Sequence, residues 1–430
     1  MVNPKKSRTF APKYLSVIIM TTLIENIGRL LQTETTPRPY VCGADMQQLP
    51  SVDNAYLLIE NDTIKAFGPM AESPKTADEI VDVDGRMVLP AFCDGHTHIV
   101  YAGSREIEYI DKIKGLSYEE IAKRGGGILN SAKLLHNTSE DSLFEQSLAR
   151  VQEIMRKGTG AADIKSGYGL SVEDELKMLR VIRRLKAEVP MTIRANFLGA
   201  HAVPAEFKGR QSEYVDLICR EMIPAVAAEN LAESIDVFCD KGFFTVDETE
   251  RMLEEGRKYG LVGKIHANEL AVSGGVQVGV KMGALSVDHL ERTTEVEIEA
   301  LRGTNTIPTM LPGTSFFLGL PYGNARGMID AGLPLALASD YNPGSTPSGD
   351  MKFVISLACI NMRLIPEEAI NCVTLNGAAA LGLAHTHGSI AVGKRANIIV
   401  TTKIPTIEFI PYAYTTDIVE AVMLNGTWVE

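Results

Sequence analysis

The stretch VLPAFCDGHTH, residues 88–98, indicates the fold more clearly than any other part of the sequence. In it, an apolar run leads into two histidines that stand two positions apart, His96 and His98. Residues two apart in a strand face the same side, so both imidazoles can reach one metal ion. Imidazole nitrogen is a ligand that suits zinc, iron and similar ions. Taken alone, the pattern is also compatible with a polar loop after a strand.

Beyond this stretch, short apolar runs alternate with segments of helical periodicity. Eight runs are predicted as strands, at residues 88–94, 161–164, 192–198, 234–239, 262–266, 285–289, 305–310 and 334–340. Amphipathic segments at 171–187 and 248–259 lie between some of them, and Ser171 with Asp174 marks a helix start. Eight parallel strands with crossover helices are typical of an α/β fold, the TIM-type (β/α)8 barrel. The long insertion at 99–160 is expected to shape the mouth of its active site.

The two chain ends have a different character from the barrel segment. Residues 22–87 and 385–430 show short strands and turns, so we predict that they form a small composite β domain, a β-sandwich. The barrel domain is predicted to span residues 88–384. Residues 1–21 are interpreted as an N-terminal extension, because their apolar run lacks the cleavage site of a signal peptide.

Charge and composition exclude several classes of function. The 430 residues contain 42 Lys plus Arg against 54 Asp plus Glu, a net charge of −12. This surplus of acid argues against binding to nucleic acid or to an anionic membrane surface. No apolar run approaches the roughly 20 residues of a membrane helix. The six cysteines form no C-x-x-C pair, which favours a reducing, cytoplasmic location.

Further candidate ligands stand at the ends of other predicted strands, where barrel active sites are built. His266 closes the fifth strand and Asp340 the eighth, so with His96 and His98 they make three imidazoles and one carboxylate. Such a set leaves room for a water molecule whose pKa the metal lowers toward about 7. His289, at the end of the sixth strand, could be a further ligand or a hydrogen-bond donor behind the ligands.

Five longer segments carry a resemblance to a known family. They are DGHTHIVYAGSR at 94–105, IKSGYGL at 164–170, FLGAHAVP at 197–204, HANEL at 266–270 and SDYNPG at 339–344. Together they resemble the imidazolonepropionases of the amidohydrolase superfamily, from about residue 22 to the C-terminus. The resemblance implies hydrolysis of 4-imidazolone-5-propanoate to N-formimidoyl-L-glutamate in histidine degradation. It also implies one zinc or iron ion as cofactor and a homodimer.

The resemblance further implies roles for individual residues. It implies metal ligation by four residues, His96, His98, His266 and Asp340. It implies substrate contacts from seven others, namely Arg105, Tyr168, His201, Glu269, Asn342, Gly344 and Ser345. Two positions depart from the family pattern: Ser345 replaces a more usual Thr, and Asn397 lies in a tail segment that commonly reads Ala-Asp.

The chemistry of the ligand set leads to a hypothesis for the reaction. Asp340 takes the proton of the attacking water, and His289 with His201 stabilises the developing oxyanion. Glu269 holds the ring nitrogens and relays a proton to the leaving nitrogen. A single metal is favoured, because neither Lys165 nor Lys241 stands where a metal-bridging carbamylated lysine is expected.

Two of the substrate contacts have ordinary alternatives. Arg105 offers the forked guanidinium that a substrate carboxylate needs, but a surface salt bridge with Glu106 or Glu108 would explain it equally well. Tyr118 in the insertion could close over the propionate or could simply pack.

Two other classes of function remain open. One is a deaminase of the cytosine or guanine type, which would release ammonia from pyrimidines or purines. The other is a non-catalytic barrel, which metal analysis and a turnover assay would distinguish.

Overall fold

The computed structural model describes residues 20–116 and 126–430, and two eight-stranded sheets organise them. The strands, numbered along the chain, are β1 (Thr21–Leu31), β2 (Ser51–Glu60), β3 (Thr63–Pro69), β4 (Glu79–Asp82), β5 (Met87–Pro90), β6 (Phe92–Thr97), β7 (Thr159–Lys165), β8 (Thr192–Ala200), β9 (Ser234–Cys239), β10 (Val262–Ala267), β11 (Ser286–His289), β12 (Ile307–Met310), β13 (Ala336–Leu337), β14 (Ile398–Thr401), β15 (Val419–Leu424) and β16 (Thr427–Trp428).

Strands β6 to β13 form the predicted barrel. They pair in chain order and in parallel, with β6 and β13 at the two ends of the path. The residues just beyond these two strands close the ring, because Thr97 bridges Tyr341 in parallel. The His98 amide donates to the Tyr341 carbonyl (2.9 Å), and the Asp340 amide donates to the His96 carbonyl (3.0 Å). The prediction of a TIM-type barrel is confirmed.

The observed strands correct two of the predicted ranges. The predicted strand 88–94 is wrong as one unit, because Met87–Pro90 pairs with β1 and β14 while Phe92–Thr97 pairs with β7. The chain therefore passes from one sheet to the other near Ala91, and His96 lies inside a barrel strand. The eighth strand is reduced to Ala336–Leu337, and Asp340 adopts a positive φ of 56° instead of extended backbone.

Helices surround the barrel and join its strands. The described α-helices are Glu106–Ile113, Ile128–His136, Glu140–Arg156, Val172–Glu188, Gln211–Leu217, Ile223–Ala228, Val246–Lys258, Gly275–Met282, Glu295–Leu301, Pro312–Leu318, Ala325–Asp330, Met351–Met362, Pro366–Val373, Leu375–Ala380 and Phe409–Tyr412. The Ser171 side chain accepts from the Asp174 amide, as the predicted helix start requires. The helix predicted at 248–259 starts two residues earlier, at Val246, after a capping box made by Thr245 and Glu248.

The second sheet takes strands from both ends of the chain. Its order is β16-β15-β14-β5-β1-β2-β3, and β4 pairs with β1. Its own apolar core includes Ile24, Leu57, Ile398 and Met423, and Trp428 packs against it. The prediction of a composite β unit is confirmed, whereas the exact domain boundaries stay a prediction. Within the described ranges, none of the helices combines the length and apolarity needed to cross a membrane.

Candidate active site

The carboxyl ends of the barrel strands meet around a cavity of about 830 Å³. His98, His266 and Asp340 line its floor together with His201 and His289. All five side chains are buried, although each is polar or ionisable. Burial of so many polar groups has a free-energy cost unless they are paired with one another or with a ligand.

The four predicted metal ligands point toward one another. His98 Nε2 lies 3.2 Å from His96 Nε2 and 3.3 Å from His266 Nε2. Asp340 Oδ1 lies 3.6 Å from His96 Nε2 and 3.5 Å from His98 Nε2. Ligands bound tetrahedrally at about 2.0–2.1 Å from zinc are roughly 3.4 Å apart. The donor set therefore fits a single metal ion.

Carboxylates behind two of the imidazoles orient them. His96 Nδ1 donates to Asp288 Oδ2 (2.7 Å), and His266 Nδ1 donates to Asp236 Oδ1 (3.0 Å). Each Nε2 is thereby left with its lone pair toward the metal site. Burial, reinforced by the positive charge of Lys165, lowers the pKa of His96 well below its usual range. Neutral imidazole is the form that binds a metal.

The loop after β13 holds the fourth ligand. Thr314 Oγ1 (2.6 Å) and Ser345 Oγ (3.0 Å) donate to Asp340 Oδ2, so Oδ1 faces the imidazoles. Asn342 Nδ2 donates to the Asp340 carbonyl (2.8 Å) and to Ser345 Oγ (2.6 Å). Asn342 Oδ1 accepts from the amides of Gly344 (2.7 Å) and Ser345 (2.8 Å). The Ser345 hydroxyl thus orients Asp340, as a Thr hydroxyl would.

Arg105 lines the same cavity and is held by a residue of its own helix. Its Nε (2.8 Å) and one terminal nitrogen (2.7 Å) donate to Glu108 Oε2. Glu108 also accepts from the Gly127 amide (3.0 Å) and from Asn130 Nδ2 (2.9 Å). The alternative to a substrate contact was a surface salt bridge with Glu106 or Glu108. The salt bridge with Glu108 is present, but the Arg105 side chain is only 9% exposed, so the pair does not lie on the open surface. A Cβ on Gly344 would lie 2.1 Å from the other terminal nitrogen.

The turn at residues 166–170 supports His201 and Tyr168. His201 Nδ1 donates to the Gly167 carbonyl (2.9 Å), and its ring stacks on His98 with 5.1 Å between centroids. Burial, with a smaller contribution from His266, lowers the pKa of His201 to about 3, so the ring is neutral. The buried Glu175 carboxylate accepts three backbone amides of this turn at 2.8–3.1 Å.

His289 lies between two carboxylates. Its Nδ1 is 3.7 Å from Glu269 Oε2 and 3.6 Å from Glu291 Oε1. Burial alone would lower the pKa of His289, but the charges of Glu269 and Glu291 raise it to about 10. Burial raises the pKa of Glu269 to about 8. A protonated His289 fits a hydrogen-bond donor better than a metal ligand, which has to be neutral.

Comparison with known proteins places this site in a family. Residues 87–429 match the model of the Amidohydrolase family. The imidazolonepropionase of Flavobacterium johnsoniae is 55% identical over 408 residues, which cover 95% of this chain and 99% of that protein. The imidazolonepropionase of Thermoanaerobacter pseudethanolicus is 41% identical over 375 residues, which cover 87% of this chain and 89% of that protein.

The chain belongs to the imidazolonepropionase family. Solved structures outside that family share the fold. A guanine deaminase from C. acetobutylicum has a TM-score of 0.72 at 15% identity, covering 95% of this chain and all of that one. A zinc-bound atrazine chlorohydrolase from Arthrobacter aurescens has a TM-score of 0.75 at 15% identity, covering 95% and 94%. These likenesses support the barrel architecture.

The structure brings together nearly all the residues that the family resemblance implies. Besides three of the metal donors, the cavity is lined by Arg105, Tyr168, His201, Glu269 and the turn at residues 342–345. The contacts of these residues with substrate stay a prediction. Tyr118 lies outside the described residues.

Sequence reasoning missed the groups that hold these residues in place, chiefly Asp236, Asp288, Glu291, Thr314 and Glu175. A partial signal existed for two of them, because Asp236 and Asp288 are acidic residues inside apolar strands. Thr314 and Glu291 gave no comparable signal, since their partners come from other elements or from loops.

A second H-x-H pattern, formed by His385 and His387, has one exposed and one buried histidine. His387 is only 5% exposed, and its Nε2 lies 3.0 Å from Thr192 Oγ1. Burial lowers the pKa of His387 to about 4. The ring therefore joins the tail to the start of β8 as a neutral, structural group.

Proposed function

We propose that the chain is a metal-dependent hydrolase that opens the ring of 4-imidazolone-5-propanoate at a C–N bond. The product is N-formimidoyl-L-glutamate, an intermediate of histidine degradation. The observation that carries the proposal is that a four-donor metal site and Arg105 share one cavity. The 55% identity to an imidazolonepropionase along 95% of the chain supports it.

We assign the metal site to His96, His98, His266 and Asp340, with zinc or iron as the ion. The donor spacing supports a single ion. A bound metal of this kind supplies Lewis acidity, which makes a water molecule nucleophilic near neutral pH. Lys165 is held as an ammonium by buried carboxylates, so it does not offer the neutral amine that carbamylation needs.

We assign the proton transfers of the reaction to different residues around the metal site. Asp340 Oδ1 lies among the ligand imidazoles and accepts the proton of the attacking water. His289, protonated between Glu269 and Glu291, stabilises negative charge that develops on the ring carbonyl oxygen. His201 is proposed to contact the substrate through Nε2 as a hydrogen-bond acceptor, because its single ring proton is donated from Nδ1 to the Gly167 carbonyl. Glu269, whose pKa is raised by burial, can take up a proton and pass it to the leaving nitrogen.

Recognition of the substrate depends on Arg105. Its guanidinium is buried beside the cavity, and a charge-assisted pair with the propionate carboxylate would be strong there. Tyr168 and the 342–345 turn are proposed to surround the ring and side chain, with Tyr118 closing from the insertion. The enzyme is further proposed to be a cytoplasmic homodimer. Its proposed domains are a barrel at 88–384, whose residues 88–90 pair in the other sheet, and a β domain made of 22–87 and 385–430.

The test is a turnover assay with purified protein of known metal content. Loss of imidazolonepropionate absorbance, with N-formimidoyl-L-glutamate identified as the product, is the expected result. A parallel assay of ammonia release from purines and pyrimidines addresses the deaminase alternative. Metal-loaded protein that leaves imidazolonepropionate intact and releases ammonia from a nucleobase would refute the proposal.

A further inference from the structure

A buried lysine lies beneath the metal site. Lys165, at the end of β7, is 0% exposed, and its Nζ lies 2.7 Å from Asp163 Oδ2 and 2.7 Å from Asp236 Oδ2. A third carboxylate oxygen, Asp288 Oδ2, lies 3.9 Å away. One ammonium therefore has three carboxylates around it in the interior of the barrel.

Two of these carboxylates lead directly to metal donors. Asp236 uses Oδ2 for Lys165 and Oδ1 for His266, where it accepts from Nδ1 (3.0 Å) and from the backbone amide (3.2 Å). Asp288 accepts from His96 Nδ1 (2.7 Å), and its Oδ2 also lies 3.6 Å from Lys264 Nζ, which is closer than Lys165. A single charge on β7 is thus connected through two carboxylates to imidazoles on β6 and β10.

Stability alone is a poor explanation for this arrangement. The desolvation of a buried ion pair often exceeds its Coulombic gain, and apolar replacements of such pairs are often neutral. The hydrogen bonds of these carboxylates explain the arrangement better, because a carboxylate behind a ligand imidazole fixes the orientation and tautomer of the ring. Asp163, the carboxylate that contacts no metal donor, accepts from Asn196 Nδ2 at 3.2–3.3 Å.

We propose that Lys165 is a positioning residue that fixes His266 for metal binding through Asp236 and that, together with Lys264, supports Asp288 behind His96. Without the ammonium, Asp163 and Asp236 lose the cation that both contact and repel each other. Asp236 then turns away from His266, and the imidazole loses its fixed orientation. The inference rests on the proposed metal site and is independent of the identity of the substrate.

The test compares two buried lysines. Lys165→Met removes the ammonium beneath the metal site while keeping a side chain of similar length. Lys394→Met is the matched control, because Lys394 is also buried, and its Nζ donates to the His387 carbonyl (3.0 Å) and Ser389 Oγ (2.7 Å). Zinc affinity is measured by competition with a chelator, and the melting temperature is measured with and without zinc.

Lys165→Met is expected to bind zinc about 10- to 100-fold more weakly than wild type, with a smaller rise in melting temperature on zinc addition. Lys394→Met is expected to lose stability with zinc affinity unchanged. Lys165→Gln provides a milder variant if the Met variant fails to fold, and it should also bind zinc more weakly. Wild-type affinity in a folded Lys165 variant, or an equal loss in Lys394→Met, would overturn the inference.

Zinc affinity, measured together with the turnover of wild type, separates this inference from the proposed function. Wild-type protein that binds one zinc ion but does not hydrolyse 4-imidazolone-5-propanoate would refute the proposed substrate only. Zinc affinity that is the same in wild type and Lys165→Met, together with normal turnover by wild type, would refute the role of Lys165 only.

Discussion

Replacing Gly344 with alanine should displace Arg105 and weaken binding of the substrate carboxylate. A Cβ at this position would lie 2.1 Å from one terminal nitrogen of Arg105 and 2.7 Å from its Cζ. Non-bonded carbon and nitrogen atoms stay about 3.5 Å or more apart, so the guanidinium has to move by roughly 1.4 Å. Because it is the end of a flexible side chain, we expect the loop to keep its fold while Arg105 shifts.

The size of the effect follows from what the shift breaks. Arg105 would lose the alignment of its two contacts with Glu108, at 2.8 and 2.7 Å, and its alignment with the propionate. A hydrogen bond between charged groups contributes about 1.5–3 kcal/mol, which corresponds to roughly 10- to 100-fold in binding. Binding that is equal in the ground and transition states appears in KM. We therefore expect KM to rise about 10- to 100-fold while kcat changes little.

A double-mutant cycle tests this reasoning. Steady-state kinetics are measured for Gly344→Ala, Arg105→Ala and the double variant, with 4-imidazolone-5-propanoate and with a ring analogue that lacks the carboxylate. If Gly344 acts through Arg105, the glycine substitution adds little once the arginine is gone, and both single variants lose little toward the analogue. Additive losses in the cycle, or a Gly344→Ala enzyme with unchanged KM, would refute the reasoning.

Three further predictions concern the metal site and its surroundings. Asp340→Asn should lower kcat by about 10²-fold or more at full metal content, whereas near-normal turnover with metal retained would contradict its role as base. Chelation should lower the melting temperature of wild type, and a His98→Ala variant should show the lower value with or without added zinc. In the metal-free protein, the raised pKa of Glu269, about 8, means that the folded state binds this proton more tightly than the unfolded chain. The free energy of unfolding should therefore fall as the pH rises from about 4.5 to 8. In denaturant titrations, Glu269→Gln should make the free energy of unfolding depend less on pH.

Much of the barrel and its ligand set could be predicted from the sequence because both leave local patterns. Apolar runs separated by helical periodicity mark strands, and ligands at strand ends are expected to converge in a closed barrel. The strand 234–239 matched its predicted range, and the first strand failed because its residues 88–90 are as apolar as those of a barrel strand. Their pairing with β1 and β14 depends on segments distant in the chain.

The candidate site likewise contains residues that the sequence predicted and supporting residues that it did not. The identity and order of His96, His98, His266 and Asp340 were visible as residue types at strand ends, and the forked chemistry of Arg105 was visible as well. Their supports were not visible, because Asp236 reaches His266 from 30 positions away and Asp288 reaches His96 from 192 positions away.

The sequence by itself thus determined which donors are available and that they stand at one end of a barrel. Tertiary structure alone decided how each donor is oriented and which charge state its surroundings favour. The physical reason is that a hydrogen bond or a desolvated charge depends on atoms a few ångströms away in space. In a closed barrel those atoms come from strands that are neighbours in the ring and far apart along the chain.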